Sequence, residues 1–263
     1  MCAQSDSEAA AVSAAASDTG RACPPADPAL IADLVVANQI LFDQGVVDGF
    51  GHVSARHDSD PNLFLLARNM APGQVAAEDI VTFTHDGDPL NAEGRRVYLE
   101  RFIHGSIYRA RPDVMAVIHS HSHAIVPLSV SKQTRLRAIF HMAGFIGQCA
   151  PVFEIRDTAG DSTDLLISSD ALGRALAETL GSGTIVLMRG HGSTVVADSV
   201  PRAVYRAIYA ELNARYQTEA MRMGEITYLT EGESAATMVS IEGQIKRPWD
   251  LWKAQAAAKR GRV

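Results

Sequence analysis

The sequence predicts an α/β fold in a single domain, on three observations. Short apolar runs of strand length alternate with longer stretches whose apolar residues recur at helical spacing. No internal repeat and no proline- or glycine-rich linker divides the 263 residues, a length that allows a substantial core. The composition, 47% hydrophobic and 21% charged, is that of an ordinary soluble globular chain.

Residues 1–26 are rich in Ala and Ser and read as a disordered tail. They lack the positive start and apolar core of a secretion signal, and Asp6, Glu8 and Asp18 count against a transit peptide. The first helix is expected to open at Asp27-Pro28, a cap followed by proline in the first turn, and to end at Gly45. His52–Arg56 alternates apolar and polar residues as a half-buried strand does, with Asn62–Leu66 and Ile80–Thr84 as further strands, the latter closed by Asp86-Gly87. Gly94 to Arg109 has a helical pattern that Pro112 stops. Strands are then expected at Val114–Ile118, Arg137–His141, Pro151–Ile155 and Thr184–Met188, with a helix from about Ser169 to Leu180 before the last. Ser199-Val-Pro201 opens a long helix carrying Val204, Ile208, Leu212 and Tyr216 at apolar spacing. Residues 224–263 read as an irregular extension, with Trp249 and Trp252 anchoring it on the body or on a neighbouring subunit.

Composition also excludes functions. A net charge of -6 leaves no basic footprint for nucleic acid. No apolar run approaches the roughly 20 residues of a membrane-spanning helix. The cysteines, Cys2, Cys23 and Cys149, are odd in number and form no CxxC pair, which points to a reducing compartment and a cytoplasmic location.

The chemistry centres on His119-Ser-His121 and, far downstream, Gly190-His191-Gly192. Side chains two apart in an extended segment point the same way, so His119 and His121 can face one ion. His191, on a turn after a second apolar strand, can complete a three-nitrogen site with an open position, the arrangement of a catalytic metal. Any one of these histidines alone reads as a hydrogen-bonded group at a strand end. His123 continues the alternation, so spacing equally allows His121 with His123. Glu100, as a fourth ligand or proton carrier, competes with a plainer role as a helix-surface charge paired with Arg96 or His104.

Arg109-Ala-Arg-Pro-Asp-Val-Met-Ala-Val-Ile-His119-Ser-His121, Arg189-Gly-His191-Gly and Gly51-His-Val-Ser-Ala-Arg56 resemble the class II aldolase/adducin family over about Asp27 to Met223. The resemblance implies a three-layer α/β/α sandwich around a mostly antiparallel sheet, assembled as a four-fold homotetramer with active sites between subunits. It implies His119, His121 and His191 as ligands of one divalent metal ion per subunit (Mn, Zn, Co or Fe), with Glu100 as the acidic residue beside them. His52 stands where the sugar-phosphate aldolases have Asn. Ala67–Pro72 stands where they have a small phosphate loop, and offers Arg68, whose planar fork suits a carboxylate. The tyrosine that protonates the aldehyde in those aldolases aligns with His141.

These departures, with Glu-Arg-Phe-Ile-His-Gly-Ser-Ile-Tyr and Phe-His-Met-Ala-Gly-Phe-Ile-Gly, resemble a branch of the family that decarboxylates hydroxylated aromatic dicarboxylates. The expected activity is metal-dependent decarboxylation of a hydroxylated benzene or pyridine dicarboxylate through an enolate-like intermediate. Glu100 or His141 would deliver the proton, and His52 and Arg68 would orient a second carboxylate. Two alternatives are an aldolase for a non-phosphorylated hydroxy or keto acid and a non-catalytic adducin-like scaffold.

Overall fold

In the computed structural model, which describes residues 23–261, α1 (Pro28–Asp43) starts at the cap that the sequence marks. The Asp27 carboxylate accepts the Ala29 N–H at 2.8 Å, and Pro28 fills the first turn, where its missing N–H is no loss. Cys2 and the part of the expected tail up to residue 22 lie outside the described residues.

Seven strands follow: β1 (His52–Arg56), β2 (Leu63–Ala67), β3 (Ile80–Thr84), β4 (Ala116–Ser120), β5 (Val152–Phe153), β6 (Ile185–Met188) and β7 (Gly192–Ala197). They form one sheet in the order β3-β2-β1-β4-β7-β6-β5. All neighbours are antiparallel except the β5–β6 pair. The remaining helices are α2 (Arg101–Ala110), α3 (Ile125–Val130), α4 (Arg156–Ala159), α5 (Asp170–Leu180), α6 (Val200–Met223), α7 (Glu231–Glu242) and α8 (Lys246–Arg260). One layer pairs α2 with α5, and the other packs α1 with α6 and α8. The expected three-layer sandwich is borne out. Among the described residues no helix is long and apolar enough to cross a membrane.

Four local expectations are corrected. β1 is buried at all five positions, not half-buried, because α2 covers its polar face. The Gly94–Arg109 helix begins only at Arg101; residues 94–100 are a turn region, and Glu100 sits at the cap with φ -86° and ψ 17°. Residues 137–141 are no strand. Their backbone is held instead by side-chain amides of α6: Asn213 accepts the Ile139 N–H and donates to the Arg137 carbonyl, and Gln217 accepts the Arg137 N–H. Finally, the described part of the expected extension, residues 224–261, is not irregular but carries α7 and α8. A reciprocal capping box starts α7: Thr230 Oγ1 accepts the Glu233 N–H and the Glu233 carboxylate accepts the Thr230 N–H. Trp249 and Trp252 are buried, and Lys253 and Lys259 tie α8 to Asp33 and Asp43 of α1.

Candidate metal centre and active site

Strand register brings the histidines together. His52 on β1 lies directly opposite His119 on β4, and His119 opposite Thr194 on β7. The chain leaves β4 at Ser120, so His121 projects just beyond the sheet, while the β6–β7 turn carries His191. This turn presses against the end of β4: a Cβ on Gly192 would stand 2.0 Å from the Ser120 carbonyl oxygen, so only glycine fits. Gly192→Ala is therefore expected to destabilise the fold by roughly 3 kcal/mol and to loosen His191, measurable as a lower unfolding temperature together with weaker metal retention.

The Nε2 atoms of His121 and His191 approach to 3.0 Å. Glu100 Oε2 lies 3.6 Å from His119 Nε2 and 3.5 Å from His191 Nε2. One ligand atom from each of the four residues falls within 4.8 Å of all the others. The orientations are imposed by the backbone. His119 Nδ1–H donates to the Ser193 carbonyl at 3.1 Å, which leaves Nε2 with a bare lone pair. That Nε2 is buried and has no hydrogen-bond partner, a costly state unless a cation takes the lone pair. Glu100 Oε1 accepts the Ile167 N–H at 3.0 Å, aiming Oε2 at the rings.

Charge follows the same pattern. Burial, above all, holds the His119 and His121 imidazoles below their ordinary value and so in the neutral, ligating form. Burial alone would raise the Glu100 carboxyl, but its contacts with His119 and His191 outweigh this and keep the group well below the usual carboxylate range. Neutral imidazoles converging with an ionised carboxylate fit a divalent cation.

The chain matches the Class II Aldolase and Adducin N-terminal domain over residues 32–218. It belongs to this family. The decarboxylase tropJ of Talaromyces stipitatus is 36% identical over 236 residues, covering 81% of this chain and 88% of that protein. The 3,4-dihydroxyphthalate decarboxylase of Arthrobacter keyseri is 29% identical, covering 73% and 78%. The L-fuculose 1-phosphate aldolase from Glaciozyma antarctica PI12 superposes with a TM-score of 0.72 at 21% identity, covering 91% of this chain and 96% of that one, which shows the shared fold. Decarboxylases and class II aldolases are lyases, and the comparisons place the chain in that class.

Against the family frame, the other candidates separate. His52 lines a cavity of about 260 Å3 that also meets Glu100 and His121, with Phe50, Asn69, Met70 and Tyr98 in its wall. His123 is exposed and lines a different depression, beside Glu211 and Arg215. Arg68 is not brought to the cavity: its Nε binds Asp79 at 2.6 Å, and its own backbone N–H goes to the Asp79 carbonyl. Nor is His141, which is exposed and lines a separate cavity of about 480 Å3 with Tyr209 and Arg247, where the amides of α6 hold its segment. Within one chain, then, neither Arg68 nor His141 joins the expected constellation.

The structure adds residues that sequence reasoning missed. Tyr98 packs its ring 4.6 Å from His52 and donates to the Met70 carbonyl; burial pushes its phenol up to about 12. His104 lies 2.7 Å from His52 and 2.6 Å from Ser54, which in turn lies 2.8 Å from the Tyr108 hydroxyl. A signal was present: Glu100, His104 and Tyr108 stand four apart, so the cap residue of α2 and these two helical residues line up on one side.

These buried imidazoles predict acid sensitivity. Burial holds His104 down to about 3, whereas in the unfolded chain it takes a proton near 6.5. Below about pH 6.5 the unfolded state therefore binds more protons, and stability falls by about 1.4 kcal/mol per pH unit for this residue alone until its folded value is reached. Thermal unfolding of chelator-treated protein is expected to move to lower temperature from pH 6.5 to 5. A midpoint flat across that range would contradict the burial of neutral His104.

Proposed function

We propose that the chain is a divalent-metal-dependent decarboxylase of a hydroxylated benzene or pyridine dicarboxylate, with Mn, Zn, Co or Fe as the ion. The observation that carries this is the convergence of Glu100, His119, His121 and His191 beside a cavity that His52 lines. Relatives named as decarboxylases, several of them for 3,4-dihydroxyphthalate, support the choice of reaction. The cation held by the three histidines would supply Lewis acidity toward the substrate hydroxyl and the negative charge that develops as CO2 leaves.

The remaining work falls to side chains. Glu100, ionised at rest, takes the proton of the substrate hydroxyl. When the bond to the carboxylate breaks, the electron pair stays on the ring and the ring carbon receives that proton from Glu100; water then reprotonates the hydroxyl oxygen. His52 holds the second carboxylate. Arg68 is committed to Asp79 and has no part in this scheme. His141 takes part only across a subunit boundary, in a homotetramer with sites between subunits. Co-expression of His119→Ala with His141→Phe tests that role, because mixed oligomers regain sites with both groups intact. Activity above that of either variant alone is expected, and none above it would remove His141 from the mechanism.

The reaction itself is tested by incubating metal-loaded protein with hydroxylated benzene and pyridine dicarboxylates and hydroxy acids while measuring CO2 and aldehyde. CO2 in step with substrate loss is expected. Aldehyde without CO2 would replace this reading with an aldolase acting on a non-phosphorylated hydroxy or keto acid.

A further inference from the structure

Behind the cavity wall, four polar side chains form a file through the buried layer between β1 and α2. His52 Nδ1 meets His104 Nε2 at 2.7 Å, His104 Nδ1 meets Ser54 Oγ at 2.6 Å, and Ser54 Oγ meets the Tyr108 hydroxyl at 2.8 Å. Their exposures are 4% for His52, 0% for His104 and Ser54, and 1% for Tyr108. Each contact needs one proton, and neutral His104 carries its single N–H on either Nδ1 or Nε2, which gives the file two senses; if Ser54 accepts from both His104 and Tyr108, a variant of the first, its own buried O–H is left unpaired.

In one sense His52 donates from Nδ1, His104 donates to Ser54, and Ser54 donates to Tyr108. The phenol O–H then has no acceptor among the described residues, in a place with almost no solvent. In the other sense Tyr108 donates to Ser54, Ser54 to His104 Nδ1, and His104 Nε2–H to His52 Nδ1. Every buried donor is then used, and the one free N–H, on His52 Nε2, belongs to the ring that lines the cavity. Buried donors are seldom left unpaired, so the second sense is selected. Burial also keeps the phenol protonated and His104 neutral, so the file stays intact through ordinary pH. Arg56 braces its far end, stacking 4.8 Å over the Tyr108 ring and donating to the Tyr108 carbonyl.

We propose that Tyr108, Ser54 and His104 are positioning residues that lock His52 in its Nε2–H form, so that it meets a substrate carboxylate as a hydrogen-bond donor and not as a base. The carboxylate half of this statement rests on the proposed function; the tautomer does not.

Imidazole-15N labelling with solid-state NMR of the zinc-loaded protein tests the tautomer, the His52 signals being those missing from His52→Asn. A protonated Nε2 and bare Nδ1 are expected; a protonated Nδ1 overturns the proposal without any further variant. His104→Gln places an amide N–H where Nε2–H stood and should preserve the tautomer. His104→Glu presents only an acceptor and should switch His52 to Nδ1–H. An identical tautomer in the two variants would overturn the lock. Phthalate, as the carboxylate probe in calorimetry, should bind about 10- to 100-fold more weakly to His104→Glu and recover in His104→Gln. A switched tautomer with unchanged phthalate affinity would overturn the donor role. A locked tautomer in a protein that releases no CO2 would instead count against the reaction and leave the lock standing.

Discussion

Replacing His119 with alanine is expected to remove bound divalent metal and to lower turnover by about three orders of magnitude or more. Lewis-acid stabilisation of developing charge supplies several kcal/mol, and each 1.36 kcal/mol is about tenfold in rate. No neighbouring group can substitute. His119 is fully buried on a central strand, its ring is fixed by the Ser193 carbonyl, and the nearby His123 is exposed on a different surface. Elemental analysis and turnover are measured together, with circular dichroism confirming that the variant folds. Full metal content with wild-type turnover would remove His119 from the centre.

Glu100→Gln is expected to keep the metal and lose turnover by about 10^2- to 10^4-fold, the range of a positioned proton carrier. The amide can still accept the Ile167 N–H through its oxygen, so the side chain keeps its place. What it loses is the ability to take and return a proton, since an amide does not titrate in this range. Metal lost in parallel with activity would show that Glu100 acts chiefly as a ligand. Unchanged turnover would shift proton delivery elsewhere.

The parts of this molecule legible in its sequence share a physical reason. Asp27-Pro28 and Ser169 announce helices through side-chain caps, Ser199-Val-Pro201 announces one through proline in the first turn, and Leu63–Ala67 and Ile185–Met188 announce strands because buried strands are apolar throughout. The sequence pattern does not reveal the strand β7, because Ser193 and Thr194, which pair with Ser120 and His119 of β4, break its apolar run. The Arg137–His141 segment has a strand-like pattern, yet its partners are Asn213 and Gln217, about 75 residues away on a helix. No local pattern reveals such a partner. At the site, the two-residue spacing of His119 and His121 and the glycines around His191 were readable. Which two of His119, His121 and His123 converge with His191 was not, because it depends on where β4 ends. His104 was visible as a residue four beyond Glu100 but read as a surface partner, because only the docking of α2 on β1 reveals that this face is buried.

The most direct test titrates metal into chelator-stripped protein and follows the 13CO2 released from a carboxylate-labelled hydroxylated phthalate. If the histidine centre runs the reaction, release should be absent without metal and rise to a plateau near one equivalent per subunit, and His119→Ala should show no rise. CO2 release at full rate from stripped protein, or equal release from His119→Ala, would contradict a metal-dependent decarboxylase built on His119, His121 and His191.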